Sequence, residues 1–298
     1  MANFGGKMTQ QTVFITGAAM GMGALKARTL AEKGWDVYAG VLPGADTSEL
    51  GDHANITIIE QDVTKDASVK ASAKKVDKAL AGRGLDLLIN NAGIANVGIG
   101  VIEGASITDG KKMFEVNTWG MMRVIQNFLP MMRRSEPPAR MINFASGAVK
   151  ANPAASGVYN MSKHAVVGMT RTLRHELAPL GIEVTAVEPG AVKTHMTADP
   201  FKTTQNIWKV VSKEMNDVYG PHLKEGTTEI MPKMLVESAN EPQDVVNQVL
   251  GLLEKKNWKP SYLVGNDVKL LGPMYKILPE RTFEKILQSA AKIKRRKR

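Results

Sequence analysis

The chain has 298 residues, 43% of them hydrophobic, and a formal charge of +10 at neutral pH. That length can bury one large core or two small ones. Cysteine is absent, which excludes disulfides and a thiol nucleophile. No apolar run reaches the roughly 18 residues of a spanning helix, and residues 1–7 lack the apolar core of a secretory signal, so a cytoplasmic location is expected.

In chain order, Thr12-Val-Phe-Ile-Thr16 is a short β-branched apolar run and reads as a buried strand. Gly17-Ala-Ala-Met20-Gly21-Met22-Gly23 follows, then a helix-forming stretch over 24–33. Strand, glycine-rich turn and helix together set a pyrophosphate on a helix N-terminus, with glycine letting the backbone approach closely. A plain turn is the alternative for this loop read alone. Further strands are expected at 37–41, 56–59, 85–89, 141–144, 183–187 and 261–264. Amphipathic helices are expected between them, notably over 68–80, 109–132 and 165–177. Alternating β and α segments with short apolar strands predict an α/β fold whose parallel sheet is covered on both faces. One domain over residues 1–265 is expected, with a helical extension over 266–298.

Tyr159 and Lys163 lie four residues apart, so on a helix they share a face. An ammonium beside a phenol favours the phenolate, which predicts a Tyr159 pKa below its ordinary value. With the Ser146 hydroxyl beside them, the three could move a proton on or off a substrate oxygen near neutral pH. Taken alone, a Tyr-x-x-x-Lys pair is more often an exposed helical pair. The five histidines show no metal-ligand spacing with carboxylates.

In combination, Thr16-Gly17-x-x-x-Gly21-x-Gly23, Asp62-Val63, Asn90-Asn91-Ala92-Gly93, Asn117, Ser146, Tyr159-x-x-x-Lys163 and Pro189-Gly190 … Thr194 resemble the short-chain dehydrogenase/reductase family. The resemblance implies one doubly wound Rossmann domain of about seven parallel strands, and hydride transfer to or from a nicotinamide cofactor. It implies Tyr159 as general acid/base and Lys163 as its electrostatic partner and ligand of the nicotinamide ribose. Ser146 would orient the substrate oxygen, and Asn117 would interrupt its helix and bind a water. For the cofactor it implies Gly17, Met20, Gly21, Met22 and Gly23 at the glycine loop, with Asp62 and Val63 near the adenine. Asn91, Ala92 and Gly93 would line the adenine ribose. Pro189, Gly190, Val192 and Thr194 would cap the nicotinamide.

The second strand ends at Val41-Leu42, where this family often carries Asp or Arg, and Met20 is not basic. A 2′-phosphate without a cation would be poorly held, so NAD is the expected cofactor and NADP the alternative. The runs at 37–46, 187–190 and 268–280 resemble the retinol, hydroxysteroid and 3-hydroxybutyrate dehydrogenase branch. That implies a lipophilic secondary alcohol or ketone as substrate. A small hydroxy acid is the alternative, held by Lys150, Lys193 or Lys202, and an idle cofactor-binding scaffold is a third reading. Residues 195–240 form a long connection carrying Met196, Phe201, Ile207, Trp208, Met215, Tyr219, Met234 and Leu235. They predict helices that close over an apolar substrate, with packing against the body as the alternative. Six of the positive charges are Lys292, Lys294, Arg295, Arg296, Lys297 and Arg298. This run suits a peripheral membrane contact or a solvated tail; nucleic acid is not expected, because no aromatic residues interleave it. The family resemblance implies a homodimer or homotetramer through the helices carrying Asn117 and Tyr159.

Overall fold

Seven strands form one parallel sheet: β1 (Thr12–Thr16), β2 (Asp36–Val41), β3 (Ile56–Glu60), β4 (Leu87–Asn90), β5 (Arg140–Phe144), β6 (Glu183–Pro189) and β7 (Ser261–Val264). Their spatial order is 3-2-1-4-5-6-7. The computed structural model describes residues 10–95, 97, 100–195 and 199–294. Central strands such as β1 and β4 are buried along their whole length. Both their faces meet helices, which is why they read as continuous apolar runs rather than alternating ones.

One face carries α1 (Gly21–Glu32) and α10 (Pro242–Leu250), whose Leu30, Val245 and Val249 join Val13, Ile15 and Ile89 in one core. The other face carries α2 (Asp66–Leu80), α4 (Met121–Met132) and α6 (Gly157–Leu177), with Val76, Phe128 and Val166 packed on Phe14 and Leu88. The Phe14 and Phe128 rings lie 4.2 Å apart between their centroids. The chain leaves β1 toward β2 on one side and returns to β4 on the other. That reversal opens a crevice at the C-terminal ends of β1 and β4, where doubly wound sheets bind ligands.

The helix expected over 109–132 is two helices, α3 (Ile107–Phe114) and α4, joined by a π-helical turn, Glu115–Gly120. The helix expected from residue 165 begins eight residues earlier, at Gly157, so its first turns carry Tyr159 and Lys163. The short α5 (Ala148–Ala151) follows β5.

The long connection folds into α7 (Pro200–Val210), α8 (Lys213–Glu225) and α9 (Met231–Ser238). Ile207 and Trp208 bury against Ala155, with Tyr219 and Leu223 packed beside them. The Trp208 indole donates to Thr227 Oγ1 at 2.8 Å, and the Tyr219 hydroxyl to Glu103 Oε2 at 2.5 Å. These aromatics therefore fasten the segment to the body, while Phe201, Met234 and Leu235 stay exposed. Met196 lies outside the described residues.

The C-terminal extension is helical: α11 (Leu271–Ile277) and α12 (Glu280–Ala290) meet through an edge-on contact of Tyr275 and Phe283. Lys292 and Lys294 pair with Glu225, and residues 295–298 lie outside the described residues. Among the described residues, no helix is long and apolar enough to cross a membrane, and no His/Cys/Asp/Glu group could hold a metal ion.

Candidate active site

The glycine loop between β1 and α1 is tight behind and open in front. Gly17 and Gly21 both have left-handed backbones, at φ +62° and +57°. A Cβ on Gly17 would meet Ala92 Cα at 2.9 Å, and one on Gly23 would meet Gly17 O at 2.1 Å. A Cβ on Gly21 would meet nothing within 4 Å. The turn can therefore close only with glycine, and its open side faces the N-terminus of a 12-residue helix whose N-cap residue, Met20, makes no side-chain cap bond. Backbone N–H groups at this helix start suit a pyrophosphate, with the Gly21 amide itself held by Glu49 Oε2 at 2.7 Å. Met20 is half-exposed at the helix start, and Met22 packs toward the core.

Asn91 is a clamp on this loop. Its Nδ2 donates to Thr16 O and Gly17 O, both at 3.0 Å. The Thr16 hydroxyl in turn accepts from the Asn91 and Ala92 amides at 2.9 Å. Asn91 Oδ1 accepts from Lys26 Nζ at 2.5 Å. Lys26 is fully buried, 3.7 Å from the Phe144 ring centre, and burial drives its pKa well below the ordinary lysine value. Sequence reasoning missed Lys26. The signal was its place on the buried stripe of α1, three residues after Gly23 and four before Leu30.

Asp62 Oδ1 accepts from the Thr64 amide and hydroxyl at 2.9 and 2.7 Å, so its carboxylate caps its own turn. Val63 packs against Gly120, where a Cβ would lie 2.8 Å from Val63 Cγ2.

Four expected residues converge at the C-terminal ends of β4 and β5. Asn117 is fully buried in the π-helical turn. Its Oδ1 accepts from Ile94 N at 2.8 Å, and its Nδ2 donates to Ile94 O at 2.9 Å and Ser162 Oγ at 3.1 Å. These bonds anchor the Asn117 side chain where the helix widens into its π turn. A Cβ on Gly93 would lie 3.3 Å from both Asn117 Oδ1 and Lys163 Nζ, so the Gly93 backbone fits between them. Lys163 is buried and donates to Phe144 O at 3.0 Å. Ser146, on the turn after β5, and Tyr159, on α6, are half-buried.

The expected direction of the Tyr159 pKa is corrected. Burial raises it above the ordinary tyrosine value, and hydrogen bonding with Ser146 opposes that rise. Lys163 Nζ stands 5.9 Å from the centre of the Tyr159 ring and points its proton at Phe144 O. Its pull on the phenolate is thus weaker than the desolvation.

Lys163 itself is lowered to about 8 by burial. Below about pH 8 both folded and unfolded chains hold the lysine charged, and the folded state carries the full desolvation penalty. Between about 8 and 10.5 the folded chain sheds the proton first, so stability rises with pH in that window. Urea unfolding at the two ends of the window tests this. The unfolding free energy of the wild type, measured against Lys163→Met, is expected to climb by about 2–3 kcal/mol. A flat or falling difference would mean the ammonium is not penalised by burial.

Pro189, Gly190, Ala191 and Val192 leave the end of β6 and are braced from behind. Gly190 N donates to Val264 O at 2.9 Å, and Gly147 N to Pro189 O at 2.7 Å. Asp267 Oδ2 accepts from Ala191 N at 2.7 Å, and Asn240 Nδ2 donates to Ala191 O at 2.8 Å and Asp267 Oδ1 at 2.6 Å. Val192 forms a bridge with Asn240. Asn240 and Asp267, invisible as a pair in the sequence, hold the turn that leads to Thr194. Glu188, just before it, is fully buried and pairs with Lys150 at 3.2 Å, and Lys193 pairs with Glu241 at 2.5 Å. Two of the three lysines considered for binding a carboxylate substrate are therefore already partnered.

The short chain dehydrogenase family model matches residues 11–205. Human dehydrogenase/reductase SDR family member 9 is 33% identical over 72% of this chain and 67% of its own. Rat retinol dehydrogenase 7 is 30% identical over 90% of this chain and 84% of its own. The solved structure of NADPH-bound carbonyl reductase from chicken fatty liver is 31% identical, with a TM-score of 0.58 over 63% of this chain and 78% of that one.

Proposed function

Because the chain belongs to the short-chain dehydrogenase/reductase family, a family of oxidoreductases, we propose that it is an NAD(P)-dependent dehydrogenase or ketoreductase acting on a lipophilic secondary alcohol or ketone. The placing of Asn117 and Lys163 against the Gly93 backbone, with Tyr159 hydrogen-bonded to Ser146, carries this reading. When bound, the cofactor supplies or accepts the hydride. The chain's residues do the rest. Tyr159 gives a proton to the carbonyl oxygen in reduction, or takes one from the alcohol in oxidation. Ser146 donates to the same oxygen and holds it within reach of the phenol. Lys163 adds positive charge that favours the phenolate, and Asn117 keeps the π-helical turn and Gly93 in register with it. The glycine loop (Gly17, Met20, Gly21, Met22, Gly23), the segment Asn91-Ala92-Gly93 and the turn Pro189–Thr194 would hold the dinucleotide, with Asp62 and Val63 at the adenine end.

Two observations support an apolar substrate. Lys150 and Lys193 are held in ion pairs, which removes the simplest anchors for a carboxylate. The helices after Thr194 also present Phe201, Met234 and Leu235 at the surface. The name of the retinol dehydrogenase relative is consistent with a lipophilic alcohol. Exposed Trp119, Met122 and Met161 on the turn before α4, on α4 and on α6 suit a homodimer through those helices.

The test is turnover, read from reduced-cofactor absorbance, across steroid, retinoid and terpenoid alcohols beside 3-hydroxybutyrate. We expect kcat/KM for the best apolar alcohol to exceed that for the hydroxy acid by about 100-fold or more. The reverse order would sink the apolar-substrate reading, and binding of the cofactor without turnover of any alcohol or ketone would point to a scaffold.

A further inference from the structure

The acidic residue that commonly reads the adenosine ribose at the end of β2 is replaced here by Val41 and Leu42. The structure supplies a carboxylate from elsewhere. Glu49 lies in a short 3-10 turn, Ser48–Leu50, beyond the end of β2. Its Oε2 accepts from the Gly21 amide at 2.7 Å, from 28 residues away. A negative side chain therefore stands on the rim of the glycine loop, beside the open face of Gly21.

Its surroundings are one-signed along the chain. Residues 41–64, from the end of β2 through its following loop and β3, contain Asp46, Glu49, Asp52, Glu60 and Asp62 and no lysine or arginine, whereas Asp36 lies at the far end of β2 and pairs with Arg83. Asp46 is held ionised by hydrogen bonds from Ser48. Among the described residues, the basic group paired with Glu49 is the imidazole of His195, at 3.7 Å and largely exposed. A ribose 2′-hydroxyl can donate to such a carboxylate, whereas a 2′-phosphate dianion would meet like charge.

We propose that Glu49 is the cofactor-selecting residue: its carboxylate, delivered to the glycine loop through the Gly21 amide, accepts from the adenosine ribose hydroxyls and rejects the 2′-phosphate, making the protein NAD-dependent. This rests on the nicotinamide-cofactor reading above, and it assigns the selection to a residue outside the usual end-of-strand position. Glu49 takes no part in the chemistry at Tyr159.

Fluorescence titration of the full chain with NADH and NADPH decides it, comparing wild type with Glu49→Gln at a pH where histidine is neutral. Glutamine keeps an oxygen for the Gly21 amide and loses only the charge. The wild type is expected to bind NADH at least tenfold more tightly than NADPH. Glu49→Gln is expected to narrow that ratio by about tenfold, mostly by gaining NADPH affinity. Raising the ionic strength should narrow the ratio in the wild type and leave it nearly unchanged in Glu49→Gln, a readout that a purely structural cap would not move. A wild type that favours NADPH overturns the proposal, as does a ratio that neither the substitution nor salt alters. If Glu49→Gln does not fold, the salt series on the wild type decides alone. If neither dinucleotide binds the wild type, the cofactor reading falls, and this inference with it.

Discussion

Tyr159→Phe is expected to lower kcat by about 10³-fold while changing the dissociation constant for the reduced cofactor by less than about threefold. The substitution removes one oxygen and keeps the ring, so the packing at the start of α6 survives and stability shifts by less than about 1.5 kcal/mol. Ser146 can still hold a substrate oxygen, but its alcohol pKa lies far above that of a phenol, so it is a poor proton donor in the place of Tyr159. Burial makes the consequence sharper, because it already raises the Tyr159 pKa. The phenolate is thus costly unless charge gathers around it, and alcohol oxidation needs that phenolate. Oxidation should therefore accelerate toward alkaline pH more steeply than ketone reduction, which uses the protonated phenol. The measurement is steady-state kinetics in both directions, paired with cofactor titration of the same preparations. Full turnover in Tyr159→Phe would remove Tyr159 as proton donor. Equal losses in turnover and cofactor affinity would instead describe a damaged fold.

The second large effect belongs to Gly23→Ala. A Cβ there would sit 2.1 Å from Gly17 O, 2.9 Å from Ala18 Cα and 3.0 Å from Asn91 Nδ2. Two of these atoms are backbone, and the third belongs to the side chain that clamps the loop, so none can yield cheaply. Expected is a stability loss of about 1–3 kcal/mol from overpacking, together with a fall in dinucleotide affinity of about 100-fold or more as the loop opens. Gly34→Ala is the control. Gly34 has φ +84° and open space around it, so alanine there costs about 1–2 kcal/mol of backbone strain and leaves cofactor binding alone. Denaturant unfolding and cofactor titration of both variants separate the two effects. Equal binding losses in both would show that Gly23 acts only through global stability.

Much of this molecule was legible along the chain. Each of the seven strands lies within about two residues of an apolar run; for the central strands β1 and β4 this is because a parallel strand buried on both faces has no polar side to confuse the pattern. The glycine loop and the Tyr159–Lys163 pair were legible for a related reason: their partners lie within one loop or one helical turn. The break in the helix over 109–132 followed from family resemblance rather than periodicity. Its physical cause is tertiary, since Asn117 bonds to the Ile94 backbone, 23 residues away.

Local patterning in the sequence thus determined the parallel α/β fold, and the family resemblance singled out the glycine loop and the Tyr159 group as the candidate cofactor and proton-transfer residues. Tertiary structure alone decided their environment. It turned the Tyr159 pKa upward, because desolvation depends on what surrounds a group rather than on its neighbour four residues along. It buried Lys26 against Asn91, 65 residues away, and joined Asn240 to Asp267 behind Ala191. It partnered Lys150 with Glu188 and brought Glu49 to the Gly21 amide. Each of these is a pairing of polar groups across the ends of parallel strands, where chain reversals through whole helices bring distant residues together. Sequence spacing carries no trace of such a pairing, because the sheet order, not the separation along the chain, sets the distance.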